Sequence, residues 1–434
     1  MAGPMNNKII RGRVLSFLDR PEGPDDHSSY IYIEDGAVVI AGGKILALDE
    51  FDNIKDRFLG EIIDHRPHLI MPGLIDLHIH FVQMQVVASY AANLLEWLDK
   101  YTFVEEQRFA EPGHGRRIAS EFFDTLIRYG TTSAAAYCSV HPASVEAYFS
   151  EAQGRNMLMI GGKCMMDRNC PPELSDSAQK GYDETKMLIE KWHGVGRNLY
   201  AITPRFAITS TPGQMEMVKA LVEENPSAYV QTHLAENNEE IAFTRELYPE
   251  AADYTEIYEH YGLLGSKSLF GHSIHLSERE LSVLAETRSV AVACPTSNLF
   301  LGSGLFDYER VSKAGVPVGV ATDIGGGTSF SMLKTMDEFY KVQQLKGNRI
   351  NPLLSFYHMS LGNARALSLS DRIGTLAVGS DADIVVLDAR ATPEMALRFQ
   401  TVKSLGEELF LLQTLGDDRA VVETYVAGKA MKSA

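Results

Sequence analysis

Cysteine is scarce in this sequence. There are four in 434 residues, Cys138, Cys164, Cys170 and Cys294, and no two form a CxxC pair. That excludes a disulfide framework and points to a reducing compartment. Basic residues are outnumbered, 40 Lys+Arg against 57 Asp+Glu, for a formal net charge of −17. Such a surface repels phosphate backbones at long range, so nucleic acid is not an expected partner; a neutral or cationic small molecule suits it better. No apolar run reaches the about 18 residues of a membrane span, and the opening stretch, MAGPMNNKIIRGRV, has no apolar signal core. The expectation is a cytoplasmic chain with no membrane partner. Low-complexity segments and short-period repeats are also missing.

Hydrophobic residues make up 45% of the chain, enough for a large core. Residues 8–66 look like short strands separated by turns: Tyr30–Glu34, a turn at Asp35-Gly36, Ala37–Ala41, a turn at Gly42-Gly43, then Lys44–Leu48. The C-terminal end has the same style, with a strand at Ala382–Leu387 and a hairpin through Ala427-Gly428. Neither end can bury a core alone, so both are expected to form one small β-sandwich domain, residues 1–68 with 372–434. Between them, residues 69–371 alternate apolar runs with segments of helical period. Eight runs stand out: Leu69–His80, Thr131–Ser139, Met157–Asp167, Leu199–Ile208, Ala228–Glu236, Ser268–Leu276, Val290–Ser297 and Val316–Asp323. Strands alternating with helices imply parallel β with crossover helices, and eight of them suggest a (β/α)₈ barrel, with a doubly wound sheet as the alternative.

Asp76-Leu77-His78-Ile79-His80 closes the first run. In a strand, residues i and i+2 point the same way, so His78 and His80 make a candidate pair of metal ligands. Alone, an HxH is as readily two histidines that happen to alternate. Later runs change that: His233 ends the fifth, His272 the sixth and Asp323 the eighth, and reactive groups of such barrels project from the C-terminal ends of strands. His78, His80, His233 and Asp323 supply nitrogen and oxygen donors that suit Zn²⁺, or iron by ligand type. Glu236, three residues after His233, could carry a proton from a metal-activated water to a leaving group; by itself it reads as an ordinary helix-start acid. His275 competes with His272 and reads as structural. His27, His114, His193, His260 and His358 read as surface or capping residues, while His141, just after the second run, is left open. Cys294 reads as a small buried hydrophobe.

Taken together, Pro72-Gly73-Leu74-Ile75-Asp76-Leu77-His78-Ile79-His80, His233, His272 and Thr322-Asp323 resemble the amidohydrolase superfamily. Within it, further segments are similar to those of bacterial guanine deaminases: Leu94-Leu95-Glu96-Trp97-Leu98, Tyr101-Thr102-Phe103, Met165-Met166-Asp167-Arg168-Asn169, Ile202-Thr203-Pro204-Arg205-Phe206, Cys294-Pro295-Thr296-Ser297-Asn298-Leu299 and Leu415-Gly416-Asp417-Asp418-Arg419. The resemblance implies one zinc on His78, His80, His233 and Asp323. It implies catalysis by Glu236, Asp323 and His272, and a purine held by Gln83, Arg205 and Phe206 beside His233, Glu236, His272 and Asp323. It also implies a homodimer and a hydrolase that converts guanine to xanthine and ammonia in purine catabolism or salvage. The sequence departs from the family at Cys170-Pro171-Pro172 and at Ser273, which touches loop details only.

Rival readings are a related deaminase of cytosine, adenosine derivatives or triazines; a binuclear enzyme using a carboxylated lysine, with Lys163 as candidate; and a catalytically inactive binding protein. Arg205-Phe206 argues against the first, the lack of a lysine in the fourth run against the second, and the intact ligands with Glu236 against the third. The H-x-E…P-C-x-x-C signature of the other deaminase fold is absent.

Overall fold

A computed structural model describes residues 7–91 and 94–432; Met1–Asn6, the start of the stretch read as lacking a signal core, lie outside the described residues. Gly42 and Gly43 adopt positive φ, 57° and 79°, the backbone a two-residue hairpin needs. They join β2 (Tyr30–Ala41) to β3 (Lys44–Glu50); β2 also pairs with β1 (Asn7–Phe17), whose other edge pairs with β4 (Gly60–Pro72). The expected turn at Asp35-Gly36 is not one: β2 runs straight through it. Gly36 lies opposite Gly12, a bulge between Gly12 and Val14 absorbs the irregularity, and Arg11 holds the Asp35 carboxylate through two hydrogen bonds of 2.8 and 2.6 Å.

Eight parallel strands form the barrel. They are β5 (Leu74–His80), β6 (Thr131–Tyr137), β7 (Leu158–Gly162), β9 (Asn198–Pro204), β10 (Tyr229–Leu234), β11 (Ser268–His272), β12 (Val290–Ala293) and β13 (Val318–Val320), with a short β8 (Cys164–Met165) beside β9. Each lies inside one of the apolar runs, apart from β9, which begins one residue earlier; beyond β5, whose run is cut at its head, each is shorter than its run because the run's tail leaves the strand at the barrel's C-terminal end. At the seam, Asp323 N donates to His78 O (2.8 Å) and His80 N to Ile324 O (2.7 Å). The Asn363 carboxamide bridges Ile75 O and both backbone groups of Val320. Ile75, Ala135, Ile160, Ala201, Leu269 and Val292, from different barrel strands, share one buried cluster. The barrel is therefore a packed core, not a pore.

The terminal segments join in one seven-stranded sheet, completed by β14 (Ile384–Leu387), β15 (Val421–Val426) and β16 (Lys429–Ala430) in the order β16-β15-β14-β4-β1-β2-β3. Leu69–Pro72 pair with Ile384–Leu387 in this sheet. The first apolar run, Leu69–His80, is thus two strands, with Gly73 at the break. A Cβ there would lie 2.2 Å from Thr132 Oγ1, so no larger residue fits between the two bodies. Arg197 spans the same junction, donating to Asp381 and Asp383 from the barrel side. Among the described residues, no helix is long and apolar enough to cross a membrane.

Candidate active site

β5 delivers both histidines of the first motif to one side, as the strand period requires. His78 Nε2 and His80 Nε2 are 3.2 Å apart, and His233 Nε2 is 3.3 Å from His80 Nε2. Asp323 Oδ1 lies 3.3 Å from the Nε2 of both His78 and His80. Zinc bonds of about 2.0–2.1 Å put tetrahedral donors about 3.3 Å from one another, so these separations fit a cation held between them. Burial holds His78, His80 and His233 below the usual imidazole range, and His80 falls to about 3. The histidines facing Asp323 hold its carboxyl well below the usual carboxylate range against the opposing effect of burial. Three neutral imidazoles and one carboxylate form a donor set ready for a divalent metal.

Neighbouring groups aim the donors. His233 Nδ1 donates to Arg205 O at 2.8 Å, which leaves its Nε2 lone pair facing the cluster. Asp76 accepts from Thr322 Oγ1 (2.5 Å), Thr322 N (3.1 Å) and His78 N (3.2 Å), tying the strand that bears His78 to the turn that bears Asp323. Tyr137 stacks on His80 and tilts against His78, with ring centroids 4.5 and 4.6 Å apart. Gly271 is required opposite His78, because a Cβ there would sit 2.5 Å from the imidazole Cε1. Ala235, His272, Ser273 and Asp323 all have positive φ, between 49° and 69°. Non-glycine residues adopt that backbone at a cost of about 1–2 kcal/mol each, and such strain collects where a site needs side chains re-aimed.

Glu236 is buried beside the cluster. Burial, and behind it the Asp323 charge, pushes its carboxyl up to about 8, while the Ser303 hydroxyl, donating to Oε1 at 2.7 Å, pulls the other way. His272 Nε2 lies 3.5 Å from Glu236 Oε2 and 3.8 Å from Asp323 Oδ2, with its Nδ1 on Asn298 Oδ1 at 2.8 Å. His275 instead donates to Ser303 O at 2.8 Å, the structural part expected of it. Cys294 lies near His78 and Asp323, but burial pushes its thiol well up and its Sγ–H points to Val292 O. Lys163 is buried in an ion pair with Asp176 rather than among the histidines.

Gln83, Arg205, Phe206, His233, Glu236, His272 and Asp323 line one cavity with Leu94, Trp97 and Leu98. Sequence reasoning missed Ser303, Asn298, Tyr137 and Glu106, which touch this machinery from behind. Asn298 lay inside a segment singled out by resemblance. Glu106, one of two adjacent acids in Phe103–Glu106, gave no sign of which faced inward.

Residues 69–431 match the amidohydrolase family. A guanine deaminase of Escherichia coli (strain K12) is 45% identical over 432 residues, covering 99% of this chain and 98% of that protein. The solved E. coli guanine deaminase superposes with a TM-score of 0.96, covering 98% of this chain and 99% of that one. A guanine deaminase of C. acetobutylicum, solved with guanine bound in its active site, superposes at 0.87 with 28% identity, covering 98% of this chain and all (100%) of that one.

Proposed function

Because the chain belongs to the amidohydrolase family, we propose that it hydrolyses guanine to xanthine and ammonia, acting on the C–N bond of a cyclic amidine in purine catabolism or salvage. The carrying observation is the convergence of His78, His80, His233 and Asp323 beside Glu236, in a cavity that Gln83 and Arg205 also line. Those four residues would hold one zinc per chain, with iron as the alternative by ligand type. When bound, the metal supplies Lewis-acid activation of a water molecule.

The protein side chains do the rest. Asp323 and Glu236 accept the protons of the attacking water, and Glu236 delivers one to N3 of guanine as the oxygen adds to C2. The amino group leaves with a further proton as ammonia, so guanine and one water give xanthine and ammonia. A carboxyl poised at about 8 suits a shuttle that both takes and gives protons near neutrality. His272 Nε2, fixed from behind by Asn298, steadies the charge developing on that oxygen. Arg205 is a permanent donor suited to O6, and Phe206 forms an apolar wall for the ring.

Residues 1–68 with 372–434 act as a composite β domain supporting the barrel of 69–371, with Leu69–Pro72 shared between them. The working protein is a cytoplasmic homodimer. Incubating purified protein with guanine, and following xanthine and ammonia, tests the reading. Preference for cytosine, an adenosine derivative or a triazine overturns it.

A further inference from the structure

Glu106 reaches the site without touching the cavity. Its carboxylate is fully buried and sits on the excursion between β5 and β6. Its backbone carbonyl is pinned there by Ser139 Oγ at 3.1 Å. Oε1 accepts from Gln83 Nε2 at 2.8 Å, and both oxygens accept from Arg205 Nη1, at 3.0 and 2.8 Å. A carboxylate only accepts. It therefore decides which end of the Gln83 amide faces it: Nε2 is committed inward, leaving Oε1 as the acceptor Gln83 presents. The Arg205 bonds use one nitrogen, so Nε and Nη2 have no hydrogen-bond partner among the described residues.

We infer that Glu106 is a positioning residue that sets the hydrogen-bond polarity of the purine wall, an acceptor from Gln83 beside donors from Arg205. This deepens the guanine reading and rests on it. The wall then matches a purine edge with C6=O beside N1–H, and opposes an edge with C6–NH₂ beside an unprotonated N1. 2,6-Diaminopurine is the informative competitor, since it keeps the reacting C2 amino group and reverses only that edge.

Glu106→Gln keeps the shape but adds a donor, freeing the Gln83 amide to turn over. The expected result is a kcat/KM preference for guanine over 2,6-diaminopurine that shrinks roughly 10–100-fold, with metal content unchanged. Exchanging the pair, Gln83→Glu with Glu106→Gln, restores an acceptor at 83 and a donor behind it. That double variant should regain most of the lost preference, which a merely structural role for Glu106 would not produce. A folded, metal-loaded Glu106→Gln enzyme with the wild-type preference overturns the inference while leaving the guanine reading intact. If the single variant loses its metal or its fold, the double exchange decides: recovery of the preference supports the inference, and its absence in a folded, metal-loaded protein overturns it. Wild-type protein inactive on guanine overturns both readings.

Discussion

The donor cluster and the purine wall line the same cavity, yet they are held by different means. His78, His80 and His233 stand on strand ends and Asp323 on the turn just past β13, at positions set by the backbone bonds of the barrel. Gln83 and Glu106 hang from the long excursion after β5, built of short broken helices, and join the barrel through Arg205. Chemistry common to a fold family can stand on the scaffold, whereas selectivity resides in a loop the scaffold tolerates changing. Damage to the first region should abolish turnover, and damage to the second should chiefly alter choice.

The largest effect is expected from the double replacement His78→Ala/His80→Ala. Elemental analysis after gel filtration should fall from one metal per chain to near none, with turnover lost. Full metal in that variant, or two metals in the wild type, breaks the proposed ligand set. Glu236→Gln should keep metal and bind guanine while kcat falls by about 10²–10⁴-fold, the range of a proton shuttle; near-normal turnover in the metal-loaded variant removes the role.

Arg205→Leu tests the purine wall. Guanine kcat/KM should drop by about 10²-fold or more and the preference over adenine and cytosine should narrow, with metal content unchanged. Unaltered guanine kinetics would dissolve the contrast between the two regions.

Away from the cavity, Arg197→Ala leaves Asp383 buried without its cation, while Asp381 keeps Lys44 at 2.6 Å, and should destabilise the protein by about 3 kcal/mol. Calorimetry or denaturant titration reads this, and separate unfolding of barrel and β domain would support the two-body division.

The smallest effect concerns Glu240, whose buried carboxyl accepts from Glu236 N and is pushed up to about 7 by burial and then by Glu236. The folded state keeps a proton there that the unfolded chain has released, so stability declines as pH rises from about 4.5 to about 7. Across that window Glu240→Gln should flatten the dependence of Tm on pH; a parallel pair of curves counts against it.

Legibility in the sequence divided along the same line. Strand positions were readable because apolar runs bounded by turns carry their own period, and HxH carries its geometry with it. Asp35-Gly36 misled because a turn dipeptide also fits beside a bulge, and only the pairing with Gly12 distinguishes the two. The run Leu69–His80 hid a break because both halves are buried, one in each body.

The sequence by itself determined the barrel, the composite origin of the β sheet and the candidate donors. Each depends on local period or on residue types recurring at the ends of apolar runs. Which of Glu105 and Glu106 meets Arg205, which partner aims His272, and where Ser303 meets Glu236 were decided only by the tertiary structure. Those pairs lie 26 to 99 residues apart, and no local pattern records which side chain a distant loop will turn toward once the barrel has closed.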